Sequence, residues 1–217
     1  MKKTALLACL VALGNLTLLA QTEKTPRTVH TSEKSAIHQP PQGVPTSMKV
    51  IYDNLSSVGT NLYNDTFGWL VAGPNSSSSS TSMALPFSPR ADSHVSRVRV
   101  PLQYMSGANQ VNLSIYADSN GVPEALVAGP VTITNLPEIG TCCALADASF
   151  APVGVIGGTR YWIVADTPLT GLGSDFEGVW DTVSTRVILV SFNFDSTGWQ
   201  ETNADSLLAG AVLGSIP

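Results

Sequence analysis

Short runs of alternating apolar and polar residues, separated by Gly, Pro, Asn, Asp and Ser, recur from residue 48 to residue 217 and leave little but a β fold open to this chain. Val98, Val100, Leu102 and Tyr104 fall on one side of a pleat and Arg97, Arg99 and Gln103 on the other. Val111, Leu113 and Ile115 alternate with Asn112, Ser114 and Tyr116. Tyr161, Ile163 and Ala165 alternate with Trp162 and Val164, so this segment is apolar on both faces and is expected at the centre of a sheet. Ile188, Val190, Phe192 and Phe194 oppose Val187, Leu189, Ser191 and Asn193. Weaker segments at 48–53, 67–71, 83–88, 130–134, 176–182 and 207–213 bring the total to about ten short strands. No stretch holds helical periodicity over ten residues or more. The reading is all-β: an antiparallel β-sandwich, jelly-roll-like.

Composition narrows the class further. Only 12% of the residues are charged, about half the usual share, which excludes a coiled coil or a helical bundle with charged outer faces. A net charge of −5 argues against nucleic acid as a partner, because such proteins carry a basic patch. Three cysteines are too few for a disulfide-dense scaffold.

Met1-Lys2-Lys3-Thr4 followed by the apolar run Ala5 to Ala20 reads as a secretory signal peptide, residues 1–20, cleaved after Ala20. The run is interrupted by Gly14, Asn15 and Thr17 and is shorter than a bilayer span needs. Cys9 after Leu6-Leu7-Ala8 resembles a lipidation box, but it would leave too short an apolar region before it. Residues 21–47, with Pro26, Pro40, Pro41 and Pro45 and almost no large apolar side chain, are expected to be a disordered spacer. Residues 48–217 form the sandwich domain. Without Lys2 and Lys3, nine basic face sixteen acidic residues, a net −7 that suits a soluble protein outside the cell or in the periplasm. No transmembrane segment is expected after signal removal. Ser76 to Ser80 reads as a mobile loop.

Several phrases resemble the choice-of-anchor R family of bacterial secreted proteins. They are Val50-Ile51-Tyr52-Asp53-Asn54-Leu55, the run Val111 to Pro123, Thr141-Cys142-Cys143, the run Gly158 to Val164, and Leu208 to Gly214. The resemblance spans most of residues 50–214 and implies a secreted, non-catalytic domain that often carries an exchangeable C-terminal sorting anchor such as PEP-CTERM. Here only Ser215, Ile216 and Pro217 follow Gly214, so that anchor is expected to be missing. The family brings no catalytic residues.

The remaining candidates come from residue chemistry. Cys142 and Cys143, the only cysteines after the leader, are open to a vicinal disulfide or to two free thiols. A structural metal needs two more ligands, so none is expected, and no cofactor is implied. Asp118-Ser119-Asn120-Gly121 starts like a calcium loop, but Gly129 stands where the bidentate acid belongs, and Asn-Gly reads better as a hairpin turn. Asp92-Ser93-His94 has the residue types of a hydrolase triad, yet neighbours on an extended chain point in alternating directions. Asp175, Glu177 and Asp181 surround Trp180, which suits sugar binding or cleavage, although they read better as turn and surface acids flanking a half-buried strand. Trp69 and Trp180 are expected to be the exposed indoles, Trp162 to lie in the core and Trp199 to cover a hairpin end. The function expected is an extracellular structural or interaction role without catalysis, with an extracellular glycan or a surface protein as partner. A carbohydrate-binding module using Trp69, Trp180, Asp175, Glu177 and Asp181 is the second expectation, and a glycoside hydrolase the third.

Overall fold

Strands with one apolar face bury it by stacking sheet on sheet, and that is the architecture found. The structure is a computed structural model that describes residues 27–30, 37–38, 47–55, 63–194 and 198–217. The expected signal peptide and most of the expected spacer therefore lie outside the described residues. The described strands are β1 (Thr28–His30), β2 (Ile37–His38), β3 (Lys49–Asp53), β4 (Asn64–Ala72), β5 (Thr81–Phe87), β6 (Ser93–Val100), β7 (Leu102–Ser106) and β8 (Gln110–Ser119). They continue with β9 (Val122–Thr134), β10 (Thr141–Cys142), β11 (Ala146–Val155), β12 (Tyr161–Asp166), β13 (Glu177–Phe194), β14 (Trp199–Leu208) and β15 (Ala211–Ser215).

The larger sheet runs β1-β4-β13-β5-β12-β8-β9, with β7 and β14 also paired to β13, and the smaller runs β11-β6-β15-β3. Both are antiparallel, and together they make an all-β sandwich. A separate parallel pair joins β10 to β2. Two short pieces of the expected spacer thus pair with the rest of the chain, β1 on β4 and β2 on β10.

Alternation predicts the core well where it is strongest. Val111, Leu113 and Ile115 of β8 and Tyr161, Ile163 and Ala165 of β12 point into the core between the sheets, beside Met83, Leu85 and Phe87 of β5. Facing residues Val95, Val98 and Val100 of β6, Ile51 of β3 and Val212 of β15 complete it. As expected, β12 is apolar on both faces and central, flanked by β5 and β8. The hairpin between β8 and β9 turns on Asn120 and Gly121, both at positive φ, as a two-residue primed turn requires.

The expected single strand through Val98 and Tyr104 is instead two. Pro101 separates β6, in the smaller sheet, from β7, which pairs with β13 in the larger one. Proline offers no N–H to a ladder, so the chain changes sheets there, while its carbonyl accepts from the Asp181 amide at 3.0 Å. On the outer face of the smaller sheet Arg97 and Arg99 share Asp147, at 2.5 and 3.0 Å. The side chains of Ile188, Val190, Phe192 and Phe194 lie outside the described residues.

Candidate functional site

Trp69 and Trp180 do not form an exposed platform. They sit opposite each other in the β4–β13 register, 8% and 0% exposed, inside the core between the sheets. On its other side Trp180 pairs with Leu102 of β7, so the segment is flanked by strands on both edges. The Trp180 indole N–H donates to the Ala209 carbonyl at 2.7 Å and that of Trp69 to the Ser206 carbonyl at 3.4 Å. Each ring contributes buried apolar area with its one donor satisfied.

The three acids around Trp180 also part company. Asp175 is exposed on a loop and accepts from the Ala108 amide at 3.1 Å. Glu177, 6% exposed, accepts from Ser77 Oγ at 2.8 Å and the Ser78 amide at 2.7 Å through one oxygen, and from Ser106 Oγ at 2.9 Å through the other. Burial works to raise its pKa, but these hydrogen bonds outweigh burial and hold the carboxyl below its ordinary value. The Ser76 to Ser80 run, expected to be a mobile loop, is tied down at this carboxylate, and Asn75 beside it bonds Ser174 Oγ at 2.9 Å. Asp181 is 1% exposed and accepts from the Gln103 amide group, whose oxygen in turn takes the Gly140 N–H at 2.5 Å. Gln103 was expected on the polar face and is instead a buried tie. Burial pushes the Asp181 carboxyl well above its ordinary range, and the nearby charge of Asp65 adds to that.

Glu177 and Asp181 are four residues apart on one strand, about 13 Å at the usual rise. Paired glycosidase carboxylates stand roughly 5–10 Å apart across an open cleft. Both acids here fasten neighbouring segments to β13.

Cys142 and Cys143 are joined to each other and are 0% and 2% exposed. They pack with Tyr63, Val183 and Ala209 in a small second core, where the Tyr63 hydroxyl donates to the Ala144 carbonyl at 3.1 Å. The pair therefore faces inward. His94 is exposed, while Ser93 Oγ donates to Ala91 O and Asp92 accepts from the Gly157 amide, so the three residues make no relay.

A site that the sequence reading missed lies on the outer face of the larger sheet. Ala84, Trp162 and Val164, neighbours on β5 and β12, form a third apolar cluster under Tyr116 and Trp199. Trp162 is thus buried as expected, but on the face turned away from the main core. Its indole N–H donates to Asp118 at 2.8 Å, and the Arg160 guanidinium lies 6.0 Å from its ring. Beside this cluster opens a cavity of about 300 Å³ lined by Ser80, Ser82, Tyr116, Asp166 and Trp199, with Thr167 and Leu169 at its side. Burial pushes the Asp166 pKa up to about 6, against a hydrogen bond from the Asn112 side chain, its cross-strand partner. Burial also raises the Tyr116 pKa, and the Asp166 charge adds to it. These groups arrive from β5, β8, β12 and β14, with Ser80 just before β5 and Thr167 and Leu169 just after β12. The one local signal is the polar face of β8, where Tyr116 follows Asn112 and Ser114 in alternation.

Among the described residues no group of three or more His, Cys, Asp or Glu is placed to hold a metal ion, and no helix is long and apolar enough to cross a membrane. No family model, curated protein or solved structure matches the chain.

Proposed function

We propose that this protein is an exported, non-catalytic β-sandwich with an extracellular structural or interaction role. The observation that carries the reading is the use of Glu177 and Asp181. Each acid is buried and engaged in holding other segments to β13. The leader-like residues 1–20 and the resemblance to the choice-of-anchor R family support export and a role without chemistry. The expected partner remains an extracellular glycan or a surface protein.

The test is a paired measurement on the purified chain. An array of polysaccharides and oligosaccharides is read for retention of the protein and, in parallel, for new reducing ends. Retention without new ends is the expected result. Release of new ends that disappears in Glu177→Gln or Asp181→Asn would make the protein a glycosidase.

A further inference from the structure

The cavity on the outer face of the larger sheet has a chemistry of its own, and the inference that follows rests on the reading of the chain as a binding domain. We propose that the space between Ser80, Ser82, Tyr116, Asp166 and Trp199 is a subsite for a single pyranose ring of an extracellular glycan. A sugar ring has one face of C–H groups and a rim of hydroxyls. It calls for an aromatic plane beside several short polar side chains. Trp199 and Tyr116 supply the aromatic surface, and the hydroxyls of Ser80, Ser82, Tyr116 and Thr167 supply groups that both donate and accept. Asp166 adds a strong acceptor, held in place by Asn112 and shielded enough from water that a bond to it counts.

Size fixes the extent. About 300 Å³ lies at the low end for small-molecule sites and suits one ring better than an extended oligosaccharide. Leu169, 69% exposed at the side of the cavity, gives a neighbouring sugar or aglycone an apolar surface to rest on. Trp199 is itself steadied from behind by Ala84, Trp162 and Val164, so its ring is positioned before a ligand arrives.

The experiment is NMR titration of the isotopically labelled chain with methyl glucoside, methyl galactoside, methyl mannoside and N-acetylglucosamine, followed by n-butylammonium as a cationic probe. At least one sugar is expected to shift the Trp199 indole N–H together with the Tyr116 and Asp166 amides. Asp166→Asn should weaken that binding roughly tenfold or more, the size of one charge-assisted hydrogen bond, with the spectrum otherwise preserved. Mapping on the unaltered chain decides the location even if the variant folds poorly. Shifts from the ammonium probe alone would overturn the sugar assignment in favour of a cation site. Sugar shifts centred elsewhere, or none from any of the four sugars, would overturn the subsite while leaving the broader reading standing. New reducing ends would overturn the broader reading whatever the map shows.

Discussion

Replacing Glu177 separates a structural acid from a catalytic one, and the structure sets the size of the effect. The carboxylate takes three hydrogen bonds, two from the Ser77–Ser78 segment and one from Ser106. Bonds to a charged group contribute about 1.5–3 kcal/mol each when buried, but Ser77 and Ser106 are exposed and rehydrate readily. About 1 kcal/mol per bond is then the better figure, so Glu177→Ala should cost about 3 kcal/mol. Glu177→Gln keeps an acceptor for the Ser77 and Ser78 donors and can donate to Ser106 Oγ, so it should cost only about 1–2 kcal/mol. Urea denaturation at neutral pH measures both, and amide exchange at Ser78 reports whether the serine loop has come free. Acid adds a check on sign. The folded pKa lies below the ordinary 4.5, so the stability due to this carboxylate is complete above that value and is lost as the pH falls through the lowered one. The Gln variant should show a shallower loss in that window. A cost below about 1 kcal/mol for the Ala variant, with Ser78 exchange unchanged, would refute the tie.

Asp181 should behave in the opposite sense. Its folded pKa is raised, so it takes stability away as the pH climbs from 3.8 through the raised value; Asp181→Asn, which can still accept from Gln103, should melt higher than the parent at neutral pH, and a lower melting temperature would contradict this. Changing both Cys142 and Cys143 to Ser buries two hydroxyls in an apolar cluster and should cost about 2–6 kcal/mol more than changing both to Ala, about 1–3 for each hydroxyl; equal melting temperatures would mean the pair is not buried. Intact-mass measurement of exported protein should show an N-terminus near Gln21, and a secreted product that keeps Met1 would defeat the reading of residues 1–20 as a leader.

The parts of the fold legible in the sequence were those fixed by local pattern. Period-two alternation assigned Val111, Leu113 and Ile115, and Tyr161, Ile163 and Ala165, to buried faces, because pleating alone decides which side chains share a face. Asn120-Gly121 announced its turn for the same reason, since positive φ is a property of those two residues. Trp69 and Trp180 went the other way. Acids next to a Trp look like surface in one dimension, but adjacent residues on a strand point to opposite sides, and what covers a face depends on register. Register put Trp180 between Trp69 and Leu102, residues 111 and 78 positions away, and nothing local encodes that. Pro101 carried a usable signal that alternation overrode: a residue without an N–H inside an otherwise regular run marks a place where pairing changes. The cavity was the least legible feature, because four strands and the segments beside β5 and β12 assemble it and none of them is unusual alone.

The two faces of β12 explain why polar chemistry ends up where it does. One face, Tyr161, Ile163 and Ala165, closes the core between the sheets, so nothing on that side can reach a ligand. The other begins at Trp162, sealed by Asp118 and Arg160, passes through buried Val164, and ends at Asp166 in the cavity. Cross-strand pairing carries the same gradient onto β8, where Tyr116 sits opposite Trp162, Ser114 opposite Val164 and Asn112 opposite Asp166. The buried end fixes register, because a one-residue slip would turn Trp162 into the core and Asp166 with it. Fixed register in turn holds the half-buried polar end in one arrangement. Glu177 and Asp181 on β13 instead use their polarity within the molecule, fastening the serine loop and Gln103. Glu177 and Asp181, which hold the sandwich together, are thereby kept apart from Asp166, the acid left beside the cavity.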